Sequence, residues 1–194
     1  MPSTPKILAF AGSARRGSYN KQLVQIAVTA ARGAGGEVTL IDLRDYPLPL
    51  FDEDLESERG LPENGRKLKD LMLSHQGLLI SSPEYNSSIS GLLKNTIDWV
   101  SRPSPGEAPL ACFTDKVTVL LSASPGALGG LRGLVHVRAI LGNLGTLVLP
   151  GTISISNAAE AFDETGSLKD KRRQATVEKL GADLVSFLRH LRPA

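Results

Sequence analysis

Apolar residues along this chain recur in two rhythms, short unbroken runs and stripes at helical spacing, and the two alternate from end to end. Ile7-Leu8-Ala9-Phe10-Ala11 reads as a buried strand, and Leu23, Ile26, Ala27, Ala30 and Ala31 then mark a helix beginning near Ser18. Gly33 to Gly36 stops that helix, and Val38, Leu40 and Ile41 make a second strand. The connection from Asp42 to Gly60, acidic and carrying Pro47 and Pro49, is long enough to overhang a site. Leu68, Leu71 and Met72 mark a helix opening after Leu61-Pro62, with Pro62 suited to its first turn. Leu78-Leu79-Ile80 is the third strand, and Leu92, Leu93, Ile97 and Val100 lie on one face of the next helix. Pro103 to Pro109 is a proline-rich loop, and Val117 with Val119-Leu120-Leu121 is the fourth strand. Leu131, Leu134, Val135, Val137, Leu141 and Leu144 form a helical stripe wider than one sheet face needs, which points to a subunit interface. Leu147-Val148-Leu149 is the fifth strand, and Val177, Leu180, Leu184, Val185 and Leu188 belong to a closing helix.

Continuous apolar strands alternating with helices predict an α/β fold, a parallel sheet covered on both faces. Right-handed crossovers over five such units give the doubly wound order 2-1-3-4-5. Ligands in such sheets sit outside the carboxyl ends of the strands, where the order reverses. With no repeat, low-complexity tract or second core, residues 1–194 read as one domain.

Three connections stand out chemically, and the topology sets all of them on that one edge. The first, Gly12-Ser13-Ala14-Arg15-Arg16-Gly17-Ser18-Tyr19-Asn20, joins glycines, hydroxyls, an amide and two arginines to a helix start, a donor set suited to phosphate. Gly12 and Gly17 have P-loop spacing, but Ser18 stands where the lysine is needed. The dinucleotide fingerprint fails as well, because Ala14 follows Ser13 where a second glycine belongs. A plain strand–helix connection capped by Ser18 is the competing reading. The second connection, Ser81 to Ser88, offers Pro83, Tyr85 and Asn86: a fixed backbone, a flat wall, and an amide that both donates and accepts. The third, Ser122 to Gly130, has glycines at Gly126, Gly129 and Gly130 that admit a planar ligand closely. A phosphate site beside a slot for a flat heterocycle describes a mononucleotide, and in a sheet of this order flavin mononucleotide (FMN) is the natural candidate.

Composition narrows the alternatives. The chain has 194 residues, 41% of them hydrophobic and 22% charged, as in soluble globular proteins. A net charge of +2 supplies no field for nucleic acid, and Lys171-Arg172-Arg173 is read as a solvated face near a helix start. No apolar stretch reaches membrane-spanning length, and Met1 to Pro5 lacks the basic and apolar regions of a signal peptide. The single cysteine, Cys112, cannot form an internal disulfide, which fits a cytoplasmic setting. His75, His136 and His190 share no metal-ligand spacing and are assigned to surface or packing, so no metal site is expected.

The motif Gly12-Ser13-x-Arg15-x-x-Ser18-x-Asn20, followed by Pro83-Glu84-Tyr85-Asn86, resembles the NADPH-dependent FMN reductases, a flavodoxin-like family that includes quinone, azo-dye and chromate reductases. Gly91-Leu92-Leu93-Lys94-Asn95-x-Ile97-Asp98-Trp99 resembles the family's helix after the second connection, and Ser124-Pro125-Gly126 with Gly129-Gly130 its third. The resemblance implies a flavodoxin-like three-layer sandwich and an FMN-dependent NAD(P)H oxidoreductase. Hydride would pass from NADPH or NADH through FMN to a quinone-type or other small acceptor in a ping-pong cycle. It implies that Ser13, Arg15, Ser18 and Asn20 hold the phosphate. Pro83, Glu84, Tyr85 and Asn86 would meet the ring and ribityl chain, mostly through backbone, while Ser124, Gly126 and Gly129 line the pyrimidine side. No residue is assigned a catalytic role of its own, since the chemistry belongs to the flavin. A homodimer, or a tetramer of dimers, is implied as well. Lys94, Asn95, Asp98 and Trp99 are read as residues of helix packing, capping and a dimer contact. A non-enzymatic electron carrier and a flavin-dependent sensor remain the alternatives; the arginine-bearing loop and slightly basic chain disfavour the carrier.

Overall fold

The computed structural model describes residues 4–191, so Met1, Pro2 and Ser3 of the N-terminal stretch lie outside it. Strands β1 (Lys6–Ala11), β2 (Glu37–Asp42) and β3 (Gly77–Ser81) are followed by a short hairpin, β4 (Glu84–Tyr85) and β5 (Ser88–Ile89), and then by β6 (Val117–Ala123) and β7 (Leu147–Ile155). The main sheet has the order β2-β1-β3-β6-β7 and every pairing in it is parallel. Counting only its own strands, that is 2-1-3-4-5, as the apolar runs predict.

Side chains of a strand alternate between faces, and each face finds its own cover. Ile7, Ala9, Leu79, Val119 and Leu121 pack with α1 (Tyr19–Gly33) and α7 (Lys171–Leu191). Leu8, Phe10, Leu78, Ile80 and Leu120 pack against α3 (Glu63–Ser74), α4 (Gly91–Val100) and α5 (Leu131–Asn143). Two short helices, α2 (Glu53–Arg59) and α6 (Ala158–Ala161), lie in connections. Among the described residues, no helix is long and apolar enough to cross a membrane.

Two expectations are revised. The fifth strand continues well past Leu149, through Pro150 and Gly151 to Ile155. It pairs with β6 around an irregularity between Thr118 and Leu120, and it is an edge strand, where a proline costs no ladder bond. Its half-exposed Thr152-Ile153-Ser154 broke the apolar run on which the shorter reading rested. The 42–60 connection contains a 3-10 turn (Leu43–Asp45) and α2, whose start is capped by Asp52 Oδ1 accepting from Asp54 N–H at 2.8 Å. This connection is also pinned to α4. Asn95 Nδ2 and Trp99 Nε1 both donate to Pro49 O at 2.8 Å, and Asn95 Oδ1 accepts from Phe51 N–H at 2.8 Å. Trp99, fully buried, meets Phe51 edge-on at 5.0 Å. Asn95 and Trp99 thus have the packing role expected of them, and Lys94 pairs with Asp98 one turn along α4.

Candidate functional site

The connections after β1, β3 and β6 meet at the carboxyl edge of the sheet, and backbone bonds hold them together. Gly12 N–H donates to Ser81 O at 2.9 Å, and Ser82 N–H to Leu121 O at 2.8 Å. Ser122 Oγ donates to Ser82 O at 2.7 Å. Ser90 Oγ donates to Gly12 O at 2.6 Å while accepting from Leu93 N–H at 3.1 Å, so the cap of α4 also fixes the first connection. Between them lies a cleft of about 60 Å³ walled by Ser13, Arg15, Ser18, Tyr19, Asn20, Pro83, Glu84, Tyr85, Ala123, Ser124 and Pro125. No residue of the 42–60 connection lines it.

Ser13 and Ser18 are buried. Ser18 occupies the N-cap position of α1, yet its hydroxyl makes no capping bond, and no acceptor meets the N–H groups of Tyr19 and Asn20 among the described residues. A helix start left open in this way attracts an anion. Arg15 folds back on its own turn: Nε and Nη2 donate to Gly17 O at 3.1 and 2.6 Å, and its guanidinium lies 4.9 Å from the centre of the Tyr19 ring. Nη1 is left open. Tyr19 in turn stacks on Phe162, with centroids 6.1 Å apart and planes at 5°.

Asn20 differs from its expected role. Nδ2 donates to Ala123 O at 2.8 Å, while Oδ1 accepts from Ala123 N–H at 3.0 Å and from Ser81 Oγ at 2.8 Å. The amide stands in for a strand neighbour at the end of β6, and what Asn20 has left for a ligand is its backbone N–H.

On the opposite wall, Glu84 turns its carboxylate away from the cleft, toward the start of α5. Oε1 accepts from Arg132 Nε and Nη2 at 3.0 and 2.7 Å, and Oε2 from Gly133 N–H at 3.0 Å. Burial pushes this carboxyl up, but the Gly133 N–H and the Arg132 guanidinium outweigh it and hold it below the usual glutamate range. Tyr85, 56% exposed, stands at the open rim. Asn86 is at the hairpin tip with φ 50° and does not line the cleft. Gly126 and Gly129 are set back from it too. Gly126 O accepts from Gly129 and Asn157 N–H, and Gly129, at φ 63°, is pressed so closely on the Ile155–Ser156 backbone that a Cβ would lie 2.7 Å from it. Tyr19, Ala123 and Pro125 are wall residues to which the sequence reading gave no ligand role, although Tyr19 and Pro125 stand inside the motifs it singled out.

A larger hollow of about 650 Å³ runs along the flank of α1, between Arg16, Gln22 and Gln25 on one side and Thr165, Ser167 and Glu178 on the other. It shares Ser18 with the cleft and takes nothing from the second and third connections. Convergence of three connections, rather than size, identifies the candidate site. The histidines lie outside it: His75 pairs with Thr39 Oγ1 and Leu71 O, His136 with Ser88 Oγ, and His190 with Ser186 O.

The model of a family described as NADPH-dependent FMN reductase matches residues 5–160, most of the chain. A Pseudomonas aeruginosa protein named NAD(P)H-dependent FMN reductase is 34% identical over 188 residues, covering 96% of this chain and 97% of its own. An Escherichia coli K12 quinone reductase is 31% identical over 184 residues, covering 94% and 93%. Among solved structures, the flavoenzyme NAD(P)H:(acceptor) oxidoreductase of Paracoccus denitrificans superposes with a TM-score of 0.78 at 25% identity, covering 96% of this chain and 98% of that one. With strand order, converging connections and relatedness over nearly its whole length in agreement, the chain belongs to the NADPH-dependent FMN reductase family.

Proposed function

We propose that this protein is an FMN-dependent NAD(P)H oxidoreductase that reduces quinone-type and other small acceptors. The observation that carries the reading is the open start of α1 within the three-walled cleft. Its volume, about 60 Å³, equals roughly two water molecules and so has room for a phosphate group. Ser13 and Ser18 offer hydroxyls, Arg15 an unengaged Nη1, and Tyr19 and Asn20 backbone N–H groups. A charge-assisted arginine bond there is worth about 1.5–3 kcal/mol. This donor set fits the phosphate of FMN.

From that anchor the flat part of the cofactor would lie across the strand ends, with Pro83 and Tyr85 on one side and Ser124 and Pro125 on the other. The backbones of Glu84, Asn86, Gly126 and Gly129, on the same two connections, would meet it beyond the cleft. The chemistry FMN supplies when bound is hydride acceptance from NAD(P)H and, in a second half-reaction, its delivery to the acceptor. The protein's part is to position: Arg15 and the α1 start fix the phosphate end, and exposed Tyr85 leaves one side open to substrates arriving in turn. Residues 1–194 act as one domain in this scheme, and the free, buried Cys112 suits a cytoplasmic protein. Leu131 and Val135 on α5, 49% and 60% exposed, belong to the face on which two copies would pair, as a homodimer or a tetramer of dimers.

The test is spectroscopic. Protein incubated with FMN and desalted should stay yellow, bleach on anaerobic NADPH addition, and regain its colour with a quinone. Steady turnover separates an enzyme from an electron carrier. Protein that desalts colourless and oxidises no NADPH in the presence of quinone would refute the reading.

A further inference from the structure

The hairpin that carries Tyr85 is too short to hold itself. Its two strands contribute two residue pairs, Glu84↔Ile89 and Tyr85↔Ser88, and isolated two-stranded hairpins of any length are marginal in water. Its tip is strained, with Asn86 at φ 50° and Ser87 at φ 66°, where the turn that suits such hairpins favours glycine second. Something outside the hairpin must therefore hold it, and the structure shows what does. The Glu84 carboxylate takes two bonds from Arg132 and one from Gly133 N–H, 48 and 49 residues along the chain. Absence of a side chain at Gly133 lets the hairpin lie close: a Cβ there would come within 3.3 Å of Ser88 O and 3.4 Å of Glu84 Cβ. His136 adds a contact to Ser88 Oγ at 2.9 Å.

We infer that Glu84 and Arg132 are a positioning pair for the flavin site, locking the second connection to the helix that follows the third and so fixing the width between the Tyr85 and Ser124 walls. Neither side chain needs to touch a ligand. The carboxylate faces α5 rather than the cleft, and Arg132 lies outside the cleft walls. At the base of the two walls backbone bonds already join Ser82 to the end of β6; beyond them, at the hairpin, the charged contact is the tie to α5, its carboxylate side chain 8% and its guanidinium side chain 55% exposed. The site's role rests on the function proposed above; the mechanical coupling does not.

The variants are Arg132→Met, Arg132→Lys, Glu84→Gln and the Glu84→Gln/Arg132→Met double, with Asp183→Asn in the surface pair Lys179–Asp183 as a control. FMN affinity is read by quenching of flavin fluorescence on apoprotein, and turnover by KM and kcat for a quinone. Amide hydrogen exchange of residues 84–89 is read without FMN. Arg132→Met should weaken FMN binding about tenfold and raise the quinone KM, with kcat per bound flavin within about twofold. Arg132→Lys should recover part of the loss, because a single ammonium cannot reproduce the fork. Adding Glu84→Gln to Arg132→Met should cost less than about twofold more, since a broken pair cannot be broken twice. Exchange across 84–89 should rise in the apoprotein. Unchanged affinity and KM, or additive losses in the double variant, would overturn the pairing. If wild-type protein binds no FMN, the functional reading fails while faster exchange in Arg132→Met still supports the coupling, and unchanged exchange ends it.

Discussion

Replacing Asn20 by alanine separates a structural amide from a ligand-binding one. The wild-type side chain satisfies both backbone groups of Ala123 and the Ser81 hydroxyl, with bonds of 2.8, 3.0 and 2.8 Å in buried surroundings. The hydroxyl can turn to another acceptor, but the Ala123 N–H and C=O cannot move. Leaving a buried polar group unsatisfied costs about 1–3 kcal/mol, so two give about 2–6 kcal/mol. Water entering the space vacated by the amide relieves part of this, which sets the expectation at about 3 kcal/mol. For a domain of this size each kcal/mol lowers Tm by about 2–4 °C, so the fall should be about 6–12 °C by calorimetry. FMN affinity should drop with it, because the start of α1 loses its tie to β6. Asn20→Asp keeps the acceptor but sets a second oxygen against Ala123 O; its deficit should shrink in acid, where a protonated carboxyl can donate. If the Tm of Asn20→Ala stays within about 2 °C of wild type while FMN binding is lost, the amide serves the ligand and the reasoning fails.

Further substitutions probe the third connection, a buried ion pair and the pinned 42–60 segment. Gly130→Ala drives a Cβ into Ser122 Oγ at φ 93°, so a loss of about 3 kcal/mol or more is expected in urea unfolding, with FMN binding impaired. Lys69, almost wholly buried, pairs with Glu107 and donates to Arg102 O at 2.6 Å; Lys69→Met should cost about 3 kcal/mol and free the 103–109 loop to protease. The Glu107 carboxyl is held below the usual glutamate range, first by the Lys69 bond and against the effect of burial. Its stabilisation is therefore present at neutral pH and lost as pH falls below the ordinary value near about 4.3, a decline in Tm that Glu107→Gln should flatten. Trp99→Phe removes the bond to Pro49 O, and should lower stability by about 1 kcal/mol and speed proteolysis between residues 46 and 60.

What the sequence revealed, and what it hid, divides along a physical line. Periodicity records which side of an element faces apolar neighbours, so strands, helices and their order were readable, and with them the edge on which three connections must meet. That Ser13, Arg15 and Ser18 share one cleft was readable because they sit in a single short connection at that edge. Asn20 shows where this stops. An amide beside a helix start suits a phosphate and a strand end equally well, and only the placement of Ala123, 103 residues away, decides between them. Glu84 is the same case, since its motif announces a site residue but cannot announce Arg132 as its partner. Lys69 left a faint mark, a cation on the buried arc of α3 with Leu68 and Met72, yet its partner lay in a proline-rich stretch that read as mere connection. Apolar burial is collective and repeats along the chain. A polar pair is a single long-range choice that leaves no period, and in this protein such choices set the walls of the site.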